Sequence, residues 1–525
     1  MKFNINWKIT SVLVLMLSTG VFYSWNEDIL DQANPNAITP KSFWKTSDDA
    51  TKGILGAYSP FTHIWNYARF EIFLSDYRDD VVNAYGTSER TAIGAFNGIS
   101  RSNGTKWVWS THYQAITRAN EVIANVPNID MDASLRDAIV GEAHFIRGYH
   151  YMQLVNNWLN VPLINQPFSD IEDPEAIAQA SPDEVWQQVL SDFTSAQGKL
   201  PQSWDSGNLG RATWGSATAF LGKAMLYRND YAGAKNELKK VMDSGLYSLT
   251  ADYADNFTQD AENNSESLFE IQFIFDGNGG WGGDNAGTGK GSAFHPDLAP
   301  AGFTGQDGMQ VNKWALDLFL DERTVNGEVD PRAYETFFWD TDETTTYQGK
   351  ILKSTTYEGK TYSEVYSDGR TTIYGNKHLD TRQGYKGSQT NGWHQAGNNL
   401  RLMRYADVLL MFAEAEVGGW SGGAATQAAV DAVNLVRARV DLAPLDMTMT
   451  MTDIEHERVK ELSLERTRYH DLLRWGLVVE RIVNHPELKS SSSGTGAYQP
   501  GREYIDIPQN EIDANPNIQH NPGYN

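Results

Sequence analysis

The chain has 525 residues, enough for one large or two to three ordinary domains with a sizeable core. Its 67 acidic residues against 43 basic ones leave a net charge of -24, which argues against the clustered cations of nucleic-acid binding and against anionic membranes and polyanionic substrates. Cysteine is absent, so disulfides, thiolate catalysis and thiolate-held metals are excluded.

Residues 1–24 read as an export signal: Lys2 and Lys8 precede the apolar run Ile9–Phe22, which is shorter than a membrane span. No later segment reaches eighteen clean apolar residues, so no transmembrane helix is expected in the mature chain. A lipoprotein signal would place a cysteine between Ser24 and the polar Asn26-Glu27-Asp28. Trp25 stands there and offers nothing to acylate, which puts a lipid anchor in doubt. Residues 25–45 are expected to form an extended tether.

Residues 46–250 read as a helical region. Asp48–Trp65 opens on an acidic cap, and Asn66–Asn103 is a polar, aromatic loop region. Helices are expected over Trp107–Asn125, Ser134–Leu154, Pro182–Lys199, Thr213–Arg228 and Ala232–Ser244. The last two, joined through Asn229-Asp230-Tyr231, alternate small and large residues across a short turn, as a tetratricopeptide hairpin does, with Ala219 and Gly222 at the close contact. Such hairpins stack into a superhelix and carry no chemistry of their own.

Residues 251–399 change character. Ser267–Phe275 alternates as a strand and runs into the glycine-rich stretch Asp276–Ser292. Gly277, Gly279 and Gly282 spell G-x-G-x-x-G, yet no helix follows, so a dinucleotide site is not expected. Asp276, Asn278 and Asp284 offer oxygens for a structural calcium ion, but the closing Glu and even spacing of a calcium loop are missing. No cofactor is expected. One helix, Asn312–Leu320, precedes short strands and loops.

Residues 400–525 return to helices. Leu400–Val417 is long and apolar enough to predict one buried helix, with Arg404 and Asp407 three apart and able to pair. Ala424–Ala438 and Thr452–Trp475 follow. Glu461, Glu465, His470 and Asp471 crowd the last of these, but Arg458, Arg466, Arg468 and Arg474 interleave with them, so ion pairs explain the cluster better than acid–base catalysis. The tail is extended and turn-rich.

Five stretches together resemble the SusD/RagB family of surface glycan-binding proteins: GEAHFIRGYHYMQLVNNWLNVPLI at 141–164, the hairpin at 213–245, LRLMRYADVLLMFAEAEV at 400–417, ERVKELSLERTRYHDLLRWG at 457–476, and IPQNEIDANPNIQHNPGYN at 507–525. The resemblance implies a mostly α fold, tetratricopeptide-like helical hairpins forming a superhelical scaffold with a loop-rich α/β insertion. It also implies a non-catalytic role: binding an oligosaccharide or polysaccharide at the cell surface and delivering it to a SusC-like TonB-dependent outer-membrane barrel.

Sugars offer apolar CH faces and hydroxyls, so a site needs exposed aromatics flanked by planar polar groups. Tyr67, Arg78, Asp79, Asp80, Asn83 and Tyr85 supply these types on one irregular segment; Trp281 and Trp393 supply them on two others. For each aromatic the alternative is a loop anchor packed on the core, and Asp79 and Asp80 can instead cap a helix. Two other functions fit the same pattern: an exported all-helical glycoside hydrolase and a tetratricopeptide adaptor that binds only protein.

Overall fold

Capping signals start the helices close to where the sequence places them. The structure, a computed structural model, describes residues 43–83, 88–97, 102–173, 176–274, 291–293, 298–301, 309–355, 359–379, 396–485, 488 and 498–524. The export signal and nearly all of the tether lie outside these residues. Helix α1 (Ser47–Tyr58) opens on a capping box: the Asp49 amide donates to Thr46 Oγ1 at 3.2 Å and the Thr46 amide to Asp49 Oδ2 at 2.8 Å. Such a cap contributes about 1 kcal/mol. After α1 the chain turns irregularly to β1 (Val82–Asn83) and then enters α2 (Asn103–Asn125).

Helix α3 (Ala133–Trp158) buries nearly every side chain from Ala138 onward, so it has no solvent face. Helices α1, α2 and α4 (Pro182–Gln197) surround it. Next come α5 (Trp214–Tyr227) and α6 (Tyr231–Asp243), the expected hairpin. A Cβ on Gly222 would sit 2.8 Å from Leu238 Cγ, so only hydrogen lets the two helices approach this closely.

The chain leaves the helical stack through β2 (Ser267–Ile271). Then follow β3 (Gln310–Val311), α7 (Lys313–Asp321), β4 (Phe337–Phe338), the hairpin of β5 (Thr345–Tyr347) and β6 (Lys350–Leu352), and β7 (Ile373–Gly375). It returns through β8 (Leu400–Arg404), which pairs antiparallel with β2, so the insertion begins and ends at one place. A second, four-stranded sheet runs β1-β3-β7-β4. It stitches the irregular segment after α1 to the insertion.

Helices α8 (Tyr405–Val417), α9 (Gln427–Arg439), α10 (Met451–Leu462) and α11 (Arg468–Arg474) complete the scaffold. Helix α6 packs on α8 and α8 on α9, so the stack continues across the insertion as if it were absent. The protein is mostly helical, with the hairpin repeat that the sequence predicts.

Two helix predictions are corrected. Leu400–Val417 is a strand followed by a helix, because β2 offers a ladder to its first five residues and Arg404 is extended at φ -132°. Arg404 and Asp407 therefore do not pair; Asp407 binds Lys223 at 3.1 Å and Arg458 at 2.9 Å. Thr452–Trp475 is interrupted between α10 and α11, where Leu464 and Arg466 adopt left-handed φ of 64° and 63°. Among the described residues no helix is long and apolar enough to cross a membrane.

Candidate functional site

The described residues that flank segments 275–290 and 380–395, which carry Trp281 and Trp393 in the sequence, are hydrogen-bonded into one patch. The Phe273 amide donates to Asn399 Oδ1 at 2.7 Å, Ser292 and Ala396 exchange amide hydrogen bonds at 2.8 and 2.9 Å, and Asn398 Nδ2 donates to the His378 carbonyl at 3.3 Å. The Ala293 amide reaches the Ala68 carbonyl at 2.7 Å, tying this patch to the segment after α1. A neighbouring border is formed by the four-stranded sheet, where Asn83 opposes Gln310 and the chain continues into 84–87, which carries Tyr85. Trp281, Trp393 and Tyr85 themselves lie outside the described residues, as do Asp276, Asn278 and Asp284. Their flanking residues share one face of the insertion.

The rest of the expected set is placed differently. Asn83 is half-buried on the sheet edge. Tyr67 is 2% exposed, stacks on Phe61 and shares a hydrogen bond with the Tyr149 hydroxyl, so it offers no ring face to a sugar. Arg78 lies with its guanidinium 4.0 Å from the Tyr469 ring centroid and donates to the Tyr469 hydroxyl at 2.7 Å and to the Glu503 carbonyl. Asp79 Oδ1 accepts the Val81 and Val82 amides at 2.8 Å each, a turn that aims the chain into β1 and not a helix cap. Asp80 is held in bidentate fashion by Arg468, at 2.8 and 2.7 Å. These four side chains are corrected from sugar contacts to supports that fix the base of the loop. An aromatic that the sequence reading passed over, Trp314, stands half-buried beside them and donates from Nε1 to the Asp80 carbonyl.

Electrostatics divide the region. Burial pushes the Glu71 carboxyl up to about 7 and Asp76 up to about 6, although Arg466 touches both. Burial likewise raises Asp79, with Asp76 and Asp80 adding to the shift.

Glu461 on α10 and Glu465 in the turn after it behave oppositely. Arg404 donates to Glu461 Oε1 at 2.6 Å, Glu266 Oε1 at 2.7 Å and Glu465 Oε2 at 2.7 Å. Arg332 adds contacts to Glu461 and Glu457, and Arg439 to Glu461 and Glu266. Burial alone would raise Glu461, but Arg439, Arg404 and Arg332 outweigh it and hold the group well below the usual carboxylate range. A carboxylate locked this way cannot exchange protons near neutral pH. Among the described residues no group of three or more His, Asp or Glu is arranged to hold a metal ion.

The architecture is that of a tetratricopeptide-like scaffold protein carrying a loop-rich insertion on one face. Comparison with known proteins makes this specific. A family model described as "SusD family" matches residues 265–524, and one described as "Starch-binding associating with outer membrane" matches residues 23–226. The SusD-like protein P2 of Formosa agariphila is 26% identical over 99% of this chain and 99% of its own. A SusD superfamily protein from Bacteroides vulgatus superposes with a TM-score of 0.78 at 24% identity, covering 92% of this chain and 100% of the other. A laminarin-binding SusD-like protein superposes with a TM-score of 0.72 at 26% identity, with coverage of 92% and 100%. The chain belongs to the SusD family, whose members are carbohydrate-binding proteins associated with the outer membrane.

Proposed function

We propose that the protein captures a neutral oligosaccharide or polysaccharide at the outer face of the cell, leaves it chemically intact, and hands it to a SusC-like TonB-dependent barrel. The observation that carries the reading is the shared origin of the Trp281 and Trp393 segments, closed by the Ser292–Ala396 pair. Trp281 and Trp393, on glycine-rich and polar stretches of the sequence, would supply stacking surface, and Asn83 and Trp314 stand on the adjoining border. Membership of the SusD family supports the handover to a barrel. A non-catalytic role is supported by the arginine pairs of Glu461 and Glu465, which hold both carboxylates ionised in the fold.

Likeness to a laminarin-binding protein puts laminarin first among glycans to test. Affinity gels cast with laminarin, starch, levan, xylan or mannan should retard the purified protein on at least one. Incubation with the retained glycan should release no reducing sugar. Migration unchanged on every gel refutes the capture role; new reducing ends would establish a hydrolase instead.

A further inference from the structure

We propose a second carbohydrate contact away from the tryptophan loops: a surface pocket of about 210 Å³ between the α5–α6 hairpin and strand β2, suited to one uncharged sugar ring of a longer chain. The proposal rests on the glycan-capture reading.

Trp204 forms one wall. Its Nε1 donates to the Ala212 carbonyl at 2.8 Å and the Arg211 guanidinium lies 4.0 Å from the ring centroid, so the indole is held before any ligand arrives. That guanidinium is itself engaged by Glu142, at 2.7 and 2.5 Å, and brings no unpaired charge. Leu209 and Leu246 flank the opening at 56% and 42% exposure, high for large aliphatic side chains that share one concavity. The Glu270 carboxylate in the lining is paired with Arg401 at 3.1 Å, and planar amides stand at the polar edge. Asn263 and Gln272 exchange hydrogen bonds at 3.0 and 3.1 Å, and Gln202 presents an exposed side chain beside them.

Gly210, at φ +86°, makes this edge possible: a Cβ there would fall 2.4 Å from Gln272 Cγ. Rigid aromatic, aliphatic flanks and neutral amides together match a ring with CH faces and hydroxyls, while an ionic ligand would find no free countercharge. The pocket also lies on the right track. Leu268 at its floor is six residues from Ile274, where the chain passes into the Trp281 segment. Leu268 and Ile274 are therefore at most roughly 20 Å apart, and a polysaccharide longer than that reaches from the pocket to the start of the Trp281 segment.

The test uses the full chain, the glycan that retards it on gels, and short and long fractions of that glycan measured by calorimetry. Leu209→Ser with Leu246→Ser, both at exposed positions, and separately Trp204→Ala, should weaken the long fraction about fivefold, the loss of one contact. Affinity for the short fraction should stay unchanged. Thermal melting checks that the Trp204 variant is folded, and the double serine variant serves if it is not. Unchanged affinity for the long fraction overturns the second site while leaving capture at the loops standing. Equal weakening of short and long fractions also overturns it, because the pocket would then be part of the principal site. A wild-type protein that binds no glycan removes both readings.

Discussion

Two buried carboxylate clusters shift in opposite directions: Glu461 is held well below the usual carboxylate range, and Glu71 is pushed above it. Glu461 faces Arg332, Arg404 and Arg439 and keeps its negative charge deep in the core. Glu71 faces Arg466 and, with Asp76 adding repulsion, is pushed up to about 7. Burial is complete in both places, so depth does not decide between them. The number of guanidinium groups within hydrogen-bond reach does. The first cluster fastens the scaffold; the second lies under the chain leading to β1.

The largest effect should come from breaking the first cluster. Arg404→Ala leaves Glu266, Glu461 and Glu465 short of a partner each, and is expected to cost about 3–5 kcal/mol in urea unfolding. A loss under about 1 kcal/mol would show that Arg439, Arg332 and Lys377 hold the acids without it. Acidification should come next. Burial lowers His112 and His470 to about 3, with Arg78 adding to the shift at His470, so both rings are neutral in the fold. The unfolded chain takes up those protons below about 6.5, so their contribution to stability is present above that pH and is lost as pH falls toward 3. At pH 5 each should have lost about 2 kcal/mol. An imidazole of His112 or His470 that takes up its proton between pH 7 and 5 in an NMR titration of the folded protein would refute the neutral assignment.

Glu71 works the other way. Its raised value favours the fold at low pH, an advantage lost as pH rises from about 4.5 through about 7, so it offsets part of the histidine loss on acidification. Glu71→Gln, an isostere of the protonated acid, should raise stability at pH 7.5 by up to about 3 kcal/mol, the ionisation cost it removes. The variant should lose more stability than wild type between pH 7.5 and 5; an equal or smaller loss would place a charged Glu71 in the fold. The smallest effect on stability is expected at the loops: Trp281→Ala should weaken glycan retention with the melting point nearly unmoved. A large drop in melting point would make Trp281 a core anchor.

The helical scaffold was legible because its signals are local. Caps such as Thr46 with Asp49, and the Gly222 contact in the α5–α6 hairpin, announce themselves within a few residues. Leu400–Arg404 was misread because a short apolar run is a strand or a helix according to its neighbours, and β2 lies far back in the chain. Tyr67, Arg78, Asp79 and Asp80 have the composition of a sugar site, yet their partners include Arg468 and Tyr469, some 390 residues on. No local pattern reports a partner at that distance. Trp281 and Trp393 stand among glycine and asparagine in the sequence, and both lie outside the described residues.

Because β2 and β8 lie side by side, the intervening chain behaves as a cassette plugged into a fixed socket. Its loops can lengthen, shorten or change chemistry without disturbing the register of the hairpins on either side. What holds the cassette in place is the Arg332 contact with Glu457 and Glu461 and the β1–β3 pairing, which such changes would have to keep.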